Sequence, residues 1–308
     1  MVNNPLLKYS IERLLHEANP EGDTFFGATA FNKMIFLLHK QLLETDIDIK
    51  LPYYWYLQGS LIEEHQFEED VGHPRQYYIT SDHSSRRMMT VPRTSIPDDI
   101  QQVINRHIHI LVENYKQPNG RFVHGYLDRL LDDVYAKAPY EFQRVFNRKF
   151  IPFLDSFRTP VRRQVPASLS FADEDLEKIE EFLDNSHKVF PQEDMEQIYE
   201  TYLEWDDTVR ITIEFDEKRI FPMTENFWKI FCKNLRVHKN ENLSLGLIQR
   251  WNSHFNEEIF PKYQIDLEKL RKSLLKKWKR GQKEDAEIDA LVKKMNLISR
   301  DHLGQSGT

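Results

Sequence analysis

Asp206 and Asp207 adjoin the run Val209–Phe215, which carries Glu214. Converging acids can hold Mg²⁺ for phosphodiester cleavage. The run Val-Arg-Ile-Thr-Ile-Glu-Phe alternates and is β-branched, so it reads either as one strand or as a continued helix. As a strand it would give acid, strand, acid, a loose outline of a metal-dependent nuclease with Asp206, Asp207 and Glu214 as its catalytic acids. A Glu-x-Lys motif on that strand is missing, because Asp216-Glu217-Lys218 follows its end. Asp132-Asp133 is a second acidic pair, and His124 with Asp128 is an i,i+4 pair that could share a metal. His107 and His109 are two apart and would diverge on a helix. The chain holds 49 acids, so chance adjacency is expected and solvated helix faces account for these pairs better. The leading reading therefore assigns no catalytic residue, no metal and no cofactor.

Nucleophile and nucleotide signatures are missing. There is no Gly-x-Ser-x-Gly, Gly-x-Gly-x-x-Gly or Walker pattern, and Cys232 follows the apolar run Phe227–Phe231, where a small buried residue is expected. Binding has better candidates. Lys269, Arg271, Lys272, Lys276, Lys277, Lys279, Arg280 and Lys283 form a basic helix with no acid between Lys269 and Lys283, and Trp278 sits within it. Such a helix can meet phosphates, with the tryptophan stacking on a base. A solvated face paired with Glu284–Asp289 or another acidic helix explains the same residues. A second cluster, His83, Arg86 and Arg87, falls at the tip of an expected hairpin and suits a wing touching phosphates.

The elements that must position these groups follow from composition and periodicity. With 308 residues the chain can hold two or three domains and a sizeable core. A 30% charged fraction and a mean hydropathy of -0.63 suit long helices with wide solvated faces. Only 10 glycines argue against Gly-rich phosphate loops. A net charge of -7 gives no global attraction for nucleic acid, so any such contact needs a local basic patch. The single cysteine excludes an intramolecular disulfide and fits a reducing compartment. Met1–Ser10 has no signal-peptide pattern, and no apolar run approaches the roughly 18–20 residues that span a bilayer. A cytoplasmic protein without a membrane partner is expected.

In order, the periodicity predicts helices over Leu6–Ala18, Ala28–Leu43, Ser60–Glu69, Asp98–Tyr115, Phe122–Ala138, Tyr140–Phe157, Asp173–Val189, Met195–Asp206, Thr224–Val237, Leu243–Phe260 and Asp266–Leu297. Tyr53–Tyr56 reads as a strand or a helix entry. Gln76–Thr80 and Met88–Val91 are β-like runs around Ser81–Arg87. Helix, helix, helix, hairpin is the outline of a winged helix. Glu63, Glu64, Glu68 and Glu69 on the third helix would repel a DNA backbone.

Asn32-Lys33-Met34-Ile35-Phe36-Leu37-Leu38, followed by Pro52-Tyr53-Tyr54-Trp55-Tyr56-Leu57-Gln58-Gly59-Ser60, resembles the core of Panacea-type (SocA-like) domains. Those carry a lysine-led apolar helix and an aromatic segment ending in Tyr-Gly-Pro, where this chain has Gln58-Gly59-Ser60. The likeness covers about Thr24–Glu69 and implies an antitoxin or adaptor module.

Together these features predict a mainly α fold. A winged-helix-like or Panacea-like module with one β-hairpin fills residues 1–94, a helical middle region 95–160, a C-terminal helical domain 161–303 and a disordered tail 304–308. The leading function is a non-enzymatic binding or regulatory protein, an antitoxin or a subunit of a defence-type assembly. Its nucleic-acid contacts would be His83, Arg86, Arg87, Lys269, Lys272, Lys276, Lys277, Lys279 and Arg280, and its protein partner would meet Tyr53, Tyr54, Trp55 and Tyr56, unless those aromatics are core. A metal-dependent nuclease and a helical scaffold are the alternatives. The sequence does not disclose the oligomeric state.

Overall fold

The computed structural model describes residues 4–18, 27–71, 96–115, 126–157, 171–215 and 217–280. They form a mainly helical protein with one small sheet. Helices α1 (Pro5–Ala18) and α2 (Ala28–Leu43) lead into strands β1 (Tyr53–Tyr56) and β2 (Gly59–Ile62), then α3 (Glu64–Val71). Helices α4 (Asp98–Tyr115) and α5 (Leu127–Ala136) follow. The next helix is continuous but contains a π turn: α6 (Glu141–Val145), the π turn Phe146–Phe150 and α7 (Ile151–Asp155). Then come α8 (Asp173–Lys188), α9 (Glu196–Phe215), α10 (Ile220–His238), strand β3 (Asn240–Glu241) and α11 (Leu245–His254). A second π turn, Phe255–Ile259, carries α11 into a helix over residues 260–280, here α12.

The sheet organises the rest. Strand order is β2-β1-β3, all antiparallel, with Tyr53 paired to Ile62 on one side and to Glu241 on the other. β1 alternates: Tyr53 and Trp55 turn into the core at 3% and 2% exposure, while Tyr54 and Tyr56 stay half-buried. The hairpin turn is locked from several directions. The Leu57 carbonyl accepts from Tyr135 Oη (3.2 Å), Asn147 Nδ2 (3.3 Å) and Trp228 Nε1 (3.1 Å), which come from α5, the π turn and α10. Beside it, the fully buried Lys33 donates to the Ser60 carbonyl at 2.6 Å. Gly59 closes the turn at φ +88°, a conformation that suits glycine.

Around the hairpin the helices bury their apolar stripes. In α4, Ile104, Ile108, Leu111, Val112 and Tyr115 recur at helical spacing and pack on α1 and α2. The other half of the core is aromatic: Phe142, Phe146, Tyr202, Trp205, Phe227 and Phe231 contact one another edge-on, tilted or stacked. Such pairs add roughly 0.5–1.5 kcal/mol each beyond the area they bury.

One open reading is resolved here and one expectation changes. Val209–Phe215 is the last part of α9, not a strand, because Val209 and Ile213 at i,i+4 spacing reach the core together. Ser60–Ile62 is strand rather than helix, since β2 needs those backbone groups to pair with β1 before α3 begins at Glu64. The order through residue 71 is therefore helix, helix, hairpin, helix. The hairpin expected over Gln76–Val91 lies outside the described residues. β3 completes a sheet begun by β1 and β2, and among the described residues one hydrophobic core runs from Leu7 to Leu267.

Candidate nucleic-acid interface

Helix α10 is apolar on its inner side, where Phe227, Trp228, Phe231, Cys232 and Leu235 are buried. That burial fixes which way its remaining positions face. Lys229, Lys233 and Arg236, at i, i+4 and i+7, fall on a single outer stripe within about 60° of one another. Among the described residues no carboxylate forms an ion pair with any of them. The Lys233 ammonium is pushed below its ordinary range by partial burial and then by repulsion from Arg236 and Lys229. Burial also lowers Arg236, against the opposing pull of Tyr56 and Tyr54. Among the described residues the stripe is thus a concentration of positive charge with no carboxylate paired to it.

Aromatic rings flank one end of it. The Arg236 guanidinium lies 4.7 Å from the Trp251 ring centre and 5.7 Å from that of Tyr56. Tyr54 leans on Trp251 at 4.9 Å and 59°. The pleat of β1 forces this arrangement, because turning Tyr53 and Trp55 inward sets Tyr54 and Tyr56 on the opposite face. Burial raises the phenols of both outer tyrosines, so they are neutral hydrogen-bond donors near neutral pH. Glu63 and Glu64 act electrostatically on Tyr54, so the platform has an acidic side toward α3 and a basic side toward α10.

At its other end the stripe borders a cleft of about 520 Å³ between α10 and α12. Lys229 and Lys233 face Lys262 and Tyr263 across it, with Glu258 and Asp266 also on its lining. The second π turn delivers Glu258 and Ile259 to this wall. Along α12, Lys262, Lys269, Lys276 and Arg280 share a stripe by their spacing of seven, seven and four residues, and all four are exposed.

The residues nominated from sequence separate into groups. Tyr53 and Trp55 are core, which removes them from any partner surface, while Tyr54 and Tyr56 remain accessible. In the late basic helix, Arg271 pairs with Asp207 at 3.2 Å, Lys272 with Glu268 at 2.6 Å and Lys269 with Asp266 at 4.0 Å. Lys276, Lys277, Lys279 and Arg280 are exposed. His83, Arg86, Arg87, His124 and Lys283 lie outside the described residues.

The acidic clusters do not converge. Asp206 accepts from Arg210 at 2.9 Å and Asp207 is held by Arg271, while Glu214 lies seven residues, roughly 10 Å, along the same helix. Asp132 goes to Arg148 at 2.8 Å, whereas Asp133 accepts from Tyr115. No group of three or more metal-ligating side chains converges among the described residues.

Sequence reading passed over Lys229, Lys233, Arg236, Trp251 and Lys262. The signal was present as Lys-x₃-Lys-x₂-Arg on the polar stripe of an apolar helix, but its cations are spread through Phe227–Arg236 and form no run. Only the packing of α10 against β1 and α11 sets them beside the rings. No family model matches the chain, and neither a curated protein nor a solved structure does. No helix among the described residues is long and apolar enough to cross a membrane.

Proposed function

We propose that this chain is a nucleic-acid-binding regulatory protein whose contact surface is the outer stripe of α10, extended across the cleft by α12. One observation carries the reading: Lys229, Lys233 and Arg236 are held together on one rigid helix, beside aromatic rings and without acidic partners among the described residues. A cluster of like charges costs stability, and a polyanion that releases its own counterions on binding offsets that cost. The chain's net charge of -7 makes the patch the attractive feature rather than the protein as a whole. The role as an antitoxin or defence-assembly subunit, and the protein partner it requires, rest on the resemblance of residues 24–69 to Panacea-type domains.

Fluorescence anisotropy tests the reading. Labelled duplex DNA, single-stranded DNA and RNA are titrated with wild type and with Lys229→Glu/Lys233→Glu across about 50–300 mM salt. Wild type should bind with an affinity that falls steeply with salt. The double variant should lose at least about tenfold and show a shallower slope, since each phosphate contact contributes about 0.7–0.9 to it. Wild type binding none of the three at the lowest salt refutes the proposal.

A further inference from the structure

Resting on that reading, we propose that Trp251, Tyr54 and Tyr56, gathered about the Arg236 guanidinium, form the seat of an unpaired base, and that the preferred ligand is single-stranded nucleic acid. The rings are only half-buried, although two tyrosines, a tryptophan and an arginine meet there. Arg236 is held between Tyr56 and Trp251, and its Nε is buried with no hydrogen-bond partner. Aromatic faces and guanidinium planes are the surfaces on which splayed bases stack, and every base has such a face to offer. In a duplex those faces are already stacked on their neighbours, so a cluster of tilted rings on the outer face of the sheet has nothing to take from it.

Charge supplies the direction of the strand. Glu63 and Glu64 stand on the Tyr54 side, where they repel phosphates, and Lys233 and Lys229 stand on the Arg236 side. From Arg236 to Lys229 is seven residues, roughly 10 Å along the helix, enough for two or three phosphates at the roughly 3.4 Å spacing of one stacked strand. A strand whose base lies on the platform therefore runs its backbone along α10 toward the cleft lined by Lys262.

The test uses the full chain with oligothymidylate, oligouridylate and a duplex of equal length, and with the variants Trp251→Leu and Tyr56→Leu. Each should weaken single-strand binding by about tenfold, the loss of one stacked base, with the salt slope and duplex binding unchanged. Oligothymidylate against oligouridylate shows whether the sugar matters. Five tryptophans emit, so the emission of wild type is compared with that of Trp251→Leu: the single strand should quench the component that the substitution removes, and the duplex should not.

Single-strand affinity unchanged in Trp251→Leu, an equal fall for strand and duplex, or emission that the single strand leaves unquenched overturns this inference. The outcome for Lys229→Glu/Lys233→Glu separates the two proposals. If charge reversal abolishes binding while both ring variants bind as wild type, the interface stands and the base seat falls. If wild type binds none of the probes, both fall. Melting of each variant is followed alongside, and where Trp251→Leu melts early, Tyr56→Leu decides.

Discussion

Lys33→Met removes a charge that the fold keeps entirely out of water. Lys33 is fully buried, and its ammonium donates to the Ser60 carbonyl of the hairpin at 2.6 Å. Burial lowers its pKa from 10.5 to about 7. At about 1.4 kcal/mol per unit of pKa, holding the lysine charged costs the folded state on the order of 5 kcal/mol, and about 4 kcal/mol at pH 7. Methionine keeps most of the aliphatic stem and relieves that cost, but leaves the Ser60 carbonyl without its donor, a loss of about 1–3 kcal/mol. The variant should therefore be more stable than wild type by about 1–3 kcal/mol at pH 7.

The sign reverses with pH. Between about 7 and 10.5 the unfolded chain binds the Lys33 proton and the folded one does not, so wild-type stability climbs relative to the variant by about 1.4 kcal/mol per pH unit. Below that window both states are protonated, and above it neither is. The two stability curves should cross between about pH 8 and 10. Urea denaturation of both proteins followed by far-UV circular dichroism from pH 7 to 10 measures the difference, in which the other titrating groups cancel. A difference that does not change with pH would refute the reasoning.

Two further changes probe the same hub. Burial alone would raise the Glu241 carboxyl, but hydrogen bonds from His39, Lys40 and Tyr53 outweigh it and hold the group down to about 2. Its contribution to stability should be complete above about pH 4.5 and lost as pH falls toward 2, and acid titrations of wild type and Glu241→Gln should converge there. The side chain is 41% exposed, so solvent screening limits the loss at pH 7 to about 1 kcal/mol, read from the urea midpoint. Gly59→Ala should cost about 1–3 kcal/mol by the same measurement, because φ is +88° and the added carbon would stand 3.1 Å from Val134 Cγ1 and 3.6 Å from Lys33 Nζ.

The sequence by itself determined the helical class and much of its layout. Apolar recurrence at three and four residues places Ala28–Leu43 and Asp98–Tyr115 at the observed ends, because a helix must bury one stripe wherever it packs. Short segments were less legible. Val209–Phe215 carries β-branched alternation, yet it extends α9 because the aromatic core rewards a helical face there. Ser60–Ile62 is drawn into β2 by pairing with a strand whose own identity was ambiguous.

The candidate interface divides in the same way. Sequence located the aromatic run at Tyr53–Tyr56 and the basic helix near Lys269–Arg280, since contiguous residues of one kind are visible without a fold. It could not say that alternate rings of β1 face inward, or that Arg236 and Trp251 meet Tyr54 and Tyr56 from roughly 180–195 residues away in the chain. Those neighbours come from three elements, β1, α10 and α11, which meet only because the sheet closes with β3. Periodicity is a property of one element and is written along the chain; the meeting of elements is decided by the packing of the whole core.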